Sequence, residues 1–316
     1  MFFNGSISDK AVTHFILLGF QSSQVIKSYL SFFFSAAYLL AILENVAVIL
    51  LVQWDPKLHT PMYFFLSKLS CLEIFYVSVT VPKILHDLVT NENTISLHGC
   101  ILQLYLFLSL ACTECFLLTA MAVDRYMAIC VPLHYYSMMT RKMCWCLCGS
   151  SLFLGFLSCS FSIGLITELH FCGPNIINHY LCDISPLINL SCQDISTIEL
   201  VNFITALFVL FSSSVPITIS YIRIIYAICQ IPSDGGWKKS FSTCASHLMV
   251  VTIFFGTTIF MYARPKANQS LDVHKDLSVL YTIVIPVINP MIYTLKNNDM
   301  KKSLKNIFVK RLIECK

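Results

Sequence analysis

The sequence predicts an all-α membrane protein: a seven-transmembrane helix bundle closed by a short amphipathic C-terminal helix. Three observations predict it. Of 316 residues, 56% are hydrophobic and only 12% charged, where a soluble domain carries roughly 25% charged residues. Apolar runs of about 20 residues, enough to cross a ~30 Å hydrocarbon core at ~1.5 Å per residue, occur near 29–52, 61–82, 99–123, 143–166, 199–229, 241–262 and 274–295. The connections between them are too short to hold a separate soluble domain. The chain therefore divides into an extracellular N-terminal tail over 1–28, the bundle over 29–295, and a cytoplasmic tail over 296–316.

The sidedness of that division comes from lysine and arginine. With the N-terminus outside, the inner connections and tail hold Lys57, Arg125, Arg141, Lys142, Arg223, Lys238, Lys239 and the cluster from Lys296 to Lys316, and the outer ones hold few basic residues. The positive-inside rule favours this arrangement, that of a multi-pass protein of the plasma membrane. The net charge of +4 reflects the inner tail. No nucleic-acid partner is expected, because no basic patch is interleaved with aromatics on a soluble face.

In chain order, the first segment lacks the basic start, apolar centre and cleavage site of a signal peptide, so the first span is expected to direct insertion. Asn4-Gly5-Ser6 is a glycosylation sequon on the outer tail, with Asn4 the expected site. Asn189 and Asn268 head two further outer sequons. The first span carries Glu44-Asn45, the second Glu73, the third Glu114 and the seventh Asn289. An ionisable group at mid-helix costs about 2.5–3.5 kcal/mol to insert and so faces the bundle interior. These residues are expected to converge on one polar core, for which a structural water network is the competing role.

The third span runs out through Met121-Ala122-Val123-Asp124-Arg125-Tyr126 into a basic loop. An acid and a guanidinium at a membrane face form a pair that neighbouring helices can break, which is what a transmembrane switch requires. Beyond the seventh span, Met300, Leu304, Ile307 and Phe308 recur at helical spacing among lysines, the pattern of a helix lying on an anionic lipid leaflet.

Of fifteen cysteines, Cys100, Cys172, Cys182 and Cys192 fall on the outer, oxidising side. Four cysteines allow three pairings. The remainder, including Cys144-Trp145-Cys146-Leu147-Cys148, read as small apolar packing residues, and Cys315 as a candidate for lipidation. His179-Tyr180-Leu181-Cys182-Asp183 offers ligands for a soft metal such as copper, but a disulfide at Cys182 would remove the thiolate. No metal and no cofactor is expected.

Residues 121–135, MAVDRYMAICVPLHY, closely resemble the signature of odorant receptors, a branch of the rhodopsin-like seven-helix G-protein-coupled receptors. Further segments match in order: Leu58-His59-Thr60-Pro61-Met62-Tyr63, Ser220-Tyr221, Lys239 to His247, and Pro286-Val287-Ile288-Asn289-Pro290-Met291-Ile292-Tyr293. The resemblance runs from about residue 11 to 305. It implies bridges Cys100–Cys182 and Cys172–Cys192, and an activation switch in which Asp124 holds Arg125 at rest beside Tyr126. Tyr221, His247 and Tyr293 would then receive or release the arginine, while Pro290 lets the seventh helix rotate. It also implies that Asn45, Glu73, Glu114 and Asn289 form a water or sodium site.

The partners so implied are a small volatile organic ligand, the lipid bilayer, and a heterotrimeric G protein of the stimulatory, olfactory type that raises cyclic AMP. The ligand pocket carried over from the family comprises Phe107, Leu108, Ala111, Cys112, Thr205, Ala206, Val209, Phe255, Thr258, Ile259, Tyr262, Val279 and Thr282. The set describes a small apolar cavity with a few hydroxyls and no charge, suited to a modest volatile molecule. Phe255, Val123, Trp237 and Glu44 depart from the family pattern.

Two other classes predict features that are missing from the sequence. A transporter calls for related halves and broken helices at corresponding places. An enzyme calls for a metal or nucleophile motif, and neither HExxH nor a nucleophile elbow is present. A receptor of the same architecture sensing a metabolite outside olfactory tissue is the nearer alternative.

Overall fold

A computed structural model describes residues 12–172, 174–230, 234–262, 275, 278–297 and 299–306; within these, the side chains of 234–243, 259–262 and 295–296 are not described. Long helices α1 (Gln24–Trp54), α2 (Pro61–Thr90) and α3 (Leu97–Cys130) come first. A short α4 (Pro132–Met138), a long α5 (Arg141–Thr167) and a short α6 (Ile184–Ile188) follow, then α7 (Ser196–Cys229), α8 (Asp234–Tyr262) and α9 (Ile285–Lys296). The helices α1, α2, α3, α5 and α7 are each long and apolar enough to cross a membrane, while Cys244–Thr258 in α8 and Leu280–Thr294 form shorter apolar helices in the sixth and seventh places. The molecule is a seven-helix membrane bundle. Its lipid-facing surface carries exposed Phe32, Phe153, Phe208 and Phe211, side chains that water would disfavour and hydrocarbon does not.

Local chemistry sets the helix ends. Pro61 opens α2 behind an extended Thr60, since proline gives up no intrahelical bond in the first turn. Ser96 and Thr140 cap α3 and α5 by accepting from the amides of Gly99 at 3.1 Å and Met143 at 3.3 Å, satisfying donors that a helix start leaves free. Asn91, with φ of 58°, ends α2 in the left-handed region. Asparagine tolerates that region better than most side chains do.

Three helices contain an internal proline: Pro82 in α2, Pro216 in α7 and Pro290 in α9. A proline has no N–H to offer and loosens the carbonyls about one turn before it. In each case a neighbouring helix supplies a donor. Asn45 of α1 donates to the Pro286 carbonyl at 3.3 Å, Thr119 of α3 to that of Ser213 at 3.2 Å, and Gln103 of α3 to that of Val79 at 3.1 Å. Side-chain donors to such carbonyls are how a kinked helix remains satisfied where no water reaches.

Helices α3 and α5 meet at Gly155. A Cβ there would lie 2.7 Å from the amide nitrogen of Thr113 and 2.9 Å from the carbonyl oxygen of Ser109, so only glycine permits the approach. Ahead of α9, Leu280–Val284 forms a π-helical turn, which shifts the facing of every residue after it relative to an uninterrupted α-helix.

Several boundaries differ from the sequence expectation. Helix α1 begins at Gln24, before residue 29, and the N-terminal segment contains a strand β1 (His14–Leu17), which pairs antiparallel with β2 (Thr94–Ser96) and parallel with β3 (Ile176–Ile177). Phe15 and Leu17 are fully buried under this small sheet in a cluster with Cys100, Phe171, Ile177 and Cys182. The strand escapes a hydropathy reading because it is four residues long. Asp124-Arg125-Tyr126 lies inside α3, which runs on to Cys130. Asn4, Asn268, Ile307, Phe308 and Cys315 lie outside the described residues. Residues 299–306 are helical, with Met300 buried and Leu304 exposed.

Candidate functional site

At the end of the bundle remote from the sheet, Asp124 is fully buried and Arg125 is 8% exposed. Arg125 donates to Asp124 Oδ2 twice, from Nε at 3.0 Å and from Nη2 at 2.5 Å. The other oxygen, Oδ1, accepts from the Tyr135 hydroxyl at 2.9 Å. Tyr135 belongs to α4, so this one carboxylate fixes both the arginine and the connection between α3 and α5. Burial, and then the negative charge of Asp124, raise the Tyr135 phenol above its usual range. The bond is therefore made by the neutral phenol.

Tyr221 and His247 lie close by on α7 and α8. The Tyr221 hydroxyl is 2.6 Å from His247 Nδ1, and the two rings stack with an interplanar angle of 16°. Tyr126 is half-buried against the bundle's central cluster of buried side chains, which includes Tyr221 and Tyr293. Tyr293 is 1% exposed and its hydroxyl has no hydrogen-bond partner among the described residues. It stands within electrostatic reach of Tyr221, Arg125, Glu73 and Glu114. A buried hydroxyl without a partner carries a desolvation cost of about 1–3 kcal/mol, which any rearrangement that gives it one would recover.

Deeper in the bundle, the Asn289 amide donates to Glu73 Oε1 at 2.7 Å and to Glu114 Oε1 at 3.2 Å, joining α2, α3 and α9. All three side chains are 1–3% exposed. Asn45 is fully buried nearby, with its amide spent on the carbonyls of Ala41 and Pro286. The side-chain oxygens of Asn45 and Asn289 have no hydrogen-bond partner among the described residues. Glu44 is half-buried on α1. Among the described residues no lysine or arginine forms an ion pair with these acids.

Seven of the expected pocket residues fall into three groups. Phe107 packs against Tyr76 and Tyr281, with ring centroids 5.1 and 5.8 Å away, and Leu108 and Ala111 border this cluster. Val209 and Phe255 are buried in the central cluster with Cys112 at its edge, and the Cys112 sulfur lies 3.6 Å from that of Cys159. Val279 borders a third cluster that includes Tyr180 and Ile283. Thr205 and Ala206 are half-buried on α7. The Thr258 hydroxyl is spent on the Phe254 carbonyl at 2.8 Å. The side chains of Ile259 and Tyr262 lie outside the described residues.

The loop between α5 and α7 covers this region. Cys182 is bonded to Cys100 across 82 residues and Cys172 to Cys192 across 20. Gln103 accepts from the Cys182 amide at 3.1 Å. Tyr180 reaches down to Thr282, hydroxyl to hydroxyl at 3.1 Å, and accepts from Ser278 at 2.6 Å, while His179 Nε2 is 3.3 Å from the same Ser278 oxygen. Thr282 is thus already engaged by the loop. Among the described residues no group of three or more His, Cys, Asp or Glu side chains is arranged to hold a metal ion. The hydrogen bonds of Tyr135, Tyr180 and Gln103 were not foreseen from the sequence: Tyr180 and Gln103 find partners 102 and 79 residues away, and Tyr135 reaches Asp124 only because α4 folds back on α3.

A family model described as olfactory receptor matches residues 34–311. Olfactory receptor 226 of Rattus norvegicus is 46% identical over 298 residues, covering 93% of this chain and 91% of the relative. Olfactory receptor 6B1 of Homo sapiens is 49% identical over 296 residues, covering 94% of both. Olfactory receptor 6A2 of Homo sapiens is 47% identical over 297 residues, covering 93% of this chain and 91% of the relative.

Proposed function

The chain belongs to the olfactory receptor family, and from that premise we propose that it binds a small, mostly apolar volatile molecule and activates a stimulatory, olfactory-type G protein to raise cyclic AMP. The N-terminus and the disulfide-bonded loop face outward and the Asp124–Arg125 end faces the cytoplasm. This orientation accords with the basic residues of the inner connections and with disulfides forming in an oxidising compartment.

The observation that carries the reading is the closed pair of Arg125 and Asp124, pinned by Tyr135. Three hydrogen bonds to one buried carboxylate make a resting state, and an arginine released from it would leave a cavity bordered by α3, α7 and α8. The ligand sits among Phe107, Leu108, Ala111, Cys112, Thr205, Ala206, Val209, Phe255, Thr258, Ile259, Tyr262, Val279 and Thr282, where burial of apolar surface supplies ~25 cal/mol per Å². A ligand that favours the active arrangement shifts the population by its difference in affinity for the two states. The inner end of α8 swings outward, the Tyr221–His247 pair parts, and the cytoplasmic cleft admits the G protein. Asn289, between the two glutamates and one residue before Pro290, links the rotation of α9 to α2 and α3.

Cells expressing the chain with the olfactory stimulatory G protein should raise cyclic AMP on exposure to some members of a broad panel of volatiles, and Arg125→Ala should abolish the response at equal surface expression. A surface-expressed protein silent across the panel, with Arg125→Ala identical to the parent in basal signal, would overturn the reading.

A further inference from the structure

Lys68 lies in α2, about 10 Å of helix beyond Pro61 at ~1.5 Å per residue, inside an apolar span. Its ammonium stands 4.6 Å from the centroid of the Trp145 ring and 5.4 Å from that of Phe64. The two rings meet edge to face at 5.0 Å. Aromatic faces attract a cation, but they do not neutralise it. The ion pairs among the described residues involve Lys83, His86 and Arg125, and none reaches Lys68.

The ring beside this ammonium reaches the surface. Trp145 is 52% exposed on the lipid-facing surface of α5, and Lys68 is half-buried between α2 and α5. Arg141, exposed, stands one turn before Trp145, on the same face of α5 because residues four apart are neighbours on a helix. Lys142 is exposed next to it. A half-buried cation, an exposed indole ring and two surface cations therefore lie together on one face of α2 and α5 near the α4 end of the bundle.

We propose that this patch binds the headgroup of an anionic phospholipid of the cytoplasmic leaflet, its phosphate or carboxylate serving as the counter-ion of Lys68. A lysine below the membrane surface extends its stem toward the headgroup layer, and Trp145 is of the residue type favoured at that depth. The rings of Phe64 and Trp145 hold the ammonium in place, and Arg141 adds a forked donor at the rim. The leaflet assignment rests on the orientation proposed above; the lysine's need for a counter-ion does not.

The full chain has three tryptophans. With Trp54→Phe and Trp237→Phe, Trp145 reports alone on the patch in lipid nanodiscs. Bromine-labelled phosphatidylserine at low mole fraction should quench Trp145 about fivefold more effectively than bromine-labelled phosphatidylcholine, the preference expected for about one basic contact. Lys68→Arg should keep the preference and Lys68→Gln should abolish it. Equal quenching by the two lipids with Lys68 present would overturn the proposal. So would an undiminished preference in Lys68→Gln, or relief of the quenching by inorganic phosphate, which would mark a site for a soluble anion. Nanodiscs carry the same lipid in both leaflets, so the result does not depend on orientation, and a protein without lipid preference that still answers odorants would leave the receptor reading standing.

Discussion

The hydroxyl of Tyr135 and the carboxylate of Asp124 are joined across 2.9 Å, so the helix after α3 is tied to the residue that holds Arg125. A hydrogen bond to a charged group contributes about 1.5–3 kcal/mol, and 1.4 kcal/mol is about tenfold in an equilibrium. Tyr135→Phe should therefore shift the resting equilibrium by about tenfold or more and raise ligand-free cyclic AMP at matched surface expression. An unchanged basal signal would mean that Tyr135 has no part in holding the arginine.

Asn289 is the only described side chain hydrogen-bonded to both Glu73 and Glu114. Asn289→Val removes both bonds and leaves two buried carboxyl groups facing each other, at a cost of about 1–3 kcal/mol. The purified protein should unfold several degrees lower in a thermal-shift assay. A melting curve indistinguishable from that of the parent would show that the acids find other partners.

The proline-loosened carbonyls can be tested by pairing a buried donor with an exposed one. Thr119→Val deprives the Ser213 carbonyl of its donor from α3 and should destabilise the protein by about 1 kcal/mol. Thr252, exposed on α8, donates only to its own helix, so Thr252→Val should stay within about 0.5 kcal/mol of the parent. Equal effects would remove the special standing of the kink.

Gly155→Ala forces α3 and α5 apart against the backbone of Thr113 and Ser109. Overpacking of this kind costs about 1–3 kcal/mol and should lower surface expression measured by cell-surface labelling. Gly164 has nothing within 4 Å of an added Cβ, so Gly164→Ala on the same helix should express normally.

The two disulfides should differ in weight. Replacing Cys100 and Cys182 by alanine opens a bridge spanning 82 residues, and replacing Cys172 and Cys192 opens one spanning 20. Loop-closure entropy makes the longer one worth about 1 kcal/mol more. Limited proteolysis of membranes should cleave the first double variant sooner.

The spans were legible because a bilayer demands long apolar runs, and the acids within them stood out because such residues are costly there. The strand His14–Leu17 was not, because its partners Thr94–Ser96 and Ile176–Ile177 are remote and its hydrophobic alternation is only four residues long. Tyr135 and Tyr180 lie within quoted motifs, but their hydrogen bonds do not show there, for their partners are set by how α4 and the loop between α5 and α7 fold back. Lys68 is a single basic residue in an apolar run, and nothing in that run shows that Trp145, on another helix, lies beside it.

The small sheet fixes what may be attached to or trimmed from the front of the chain. A purification tag or reporter ahead of Val12 leaves the pairing of His14, Phe15 and Ile16 with Thr94, Ile95 and Ser96 intact. A protease cut between Phe15 and Leu17 would divide the middle strand of three, unseating both the loop before α3 and the one after α5. The N-terminal segment is the keystone of the sheet end of the bundle.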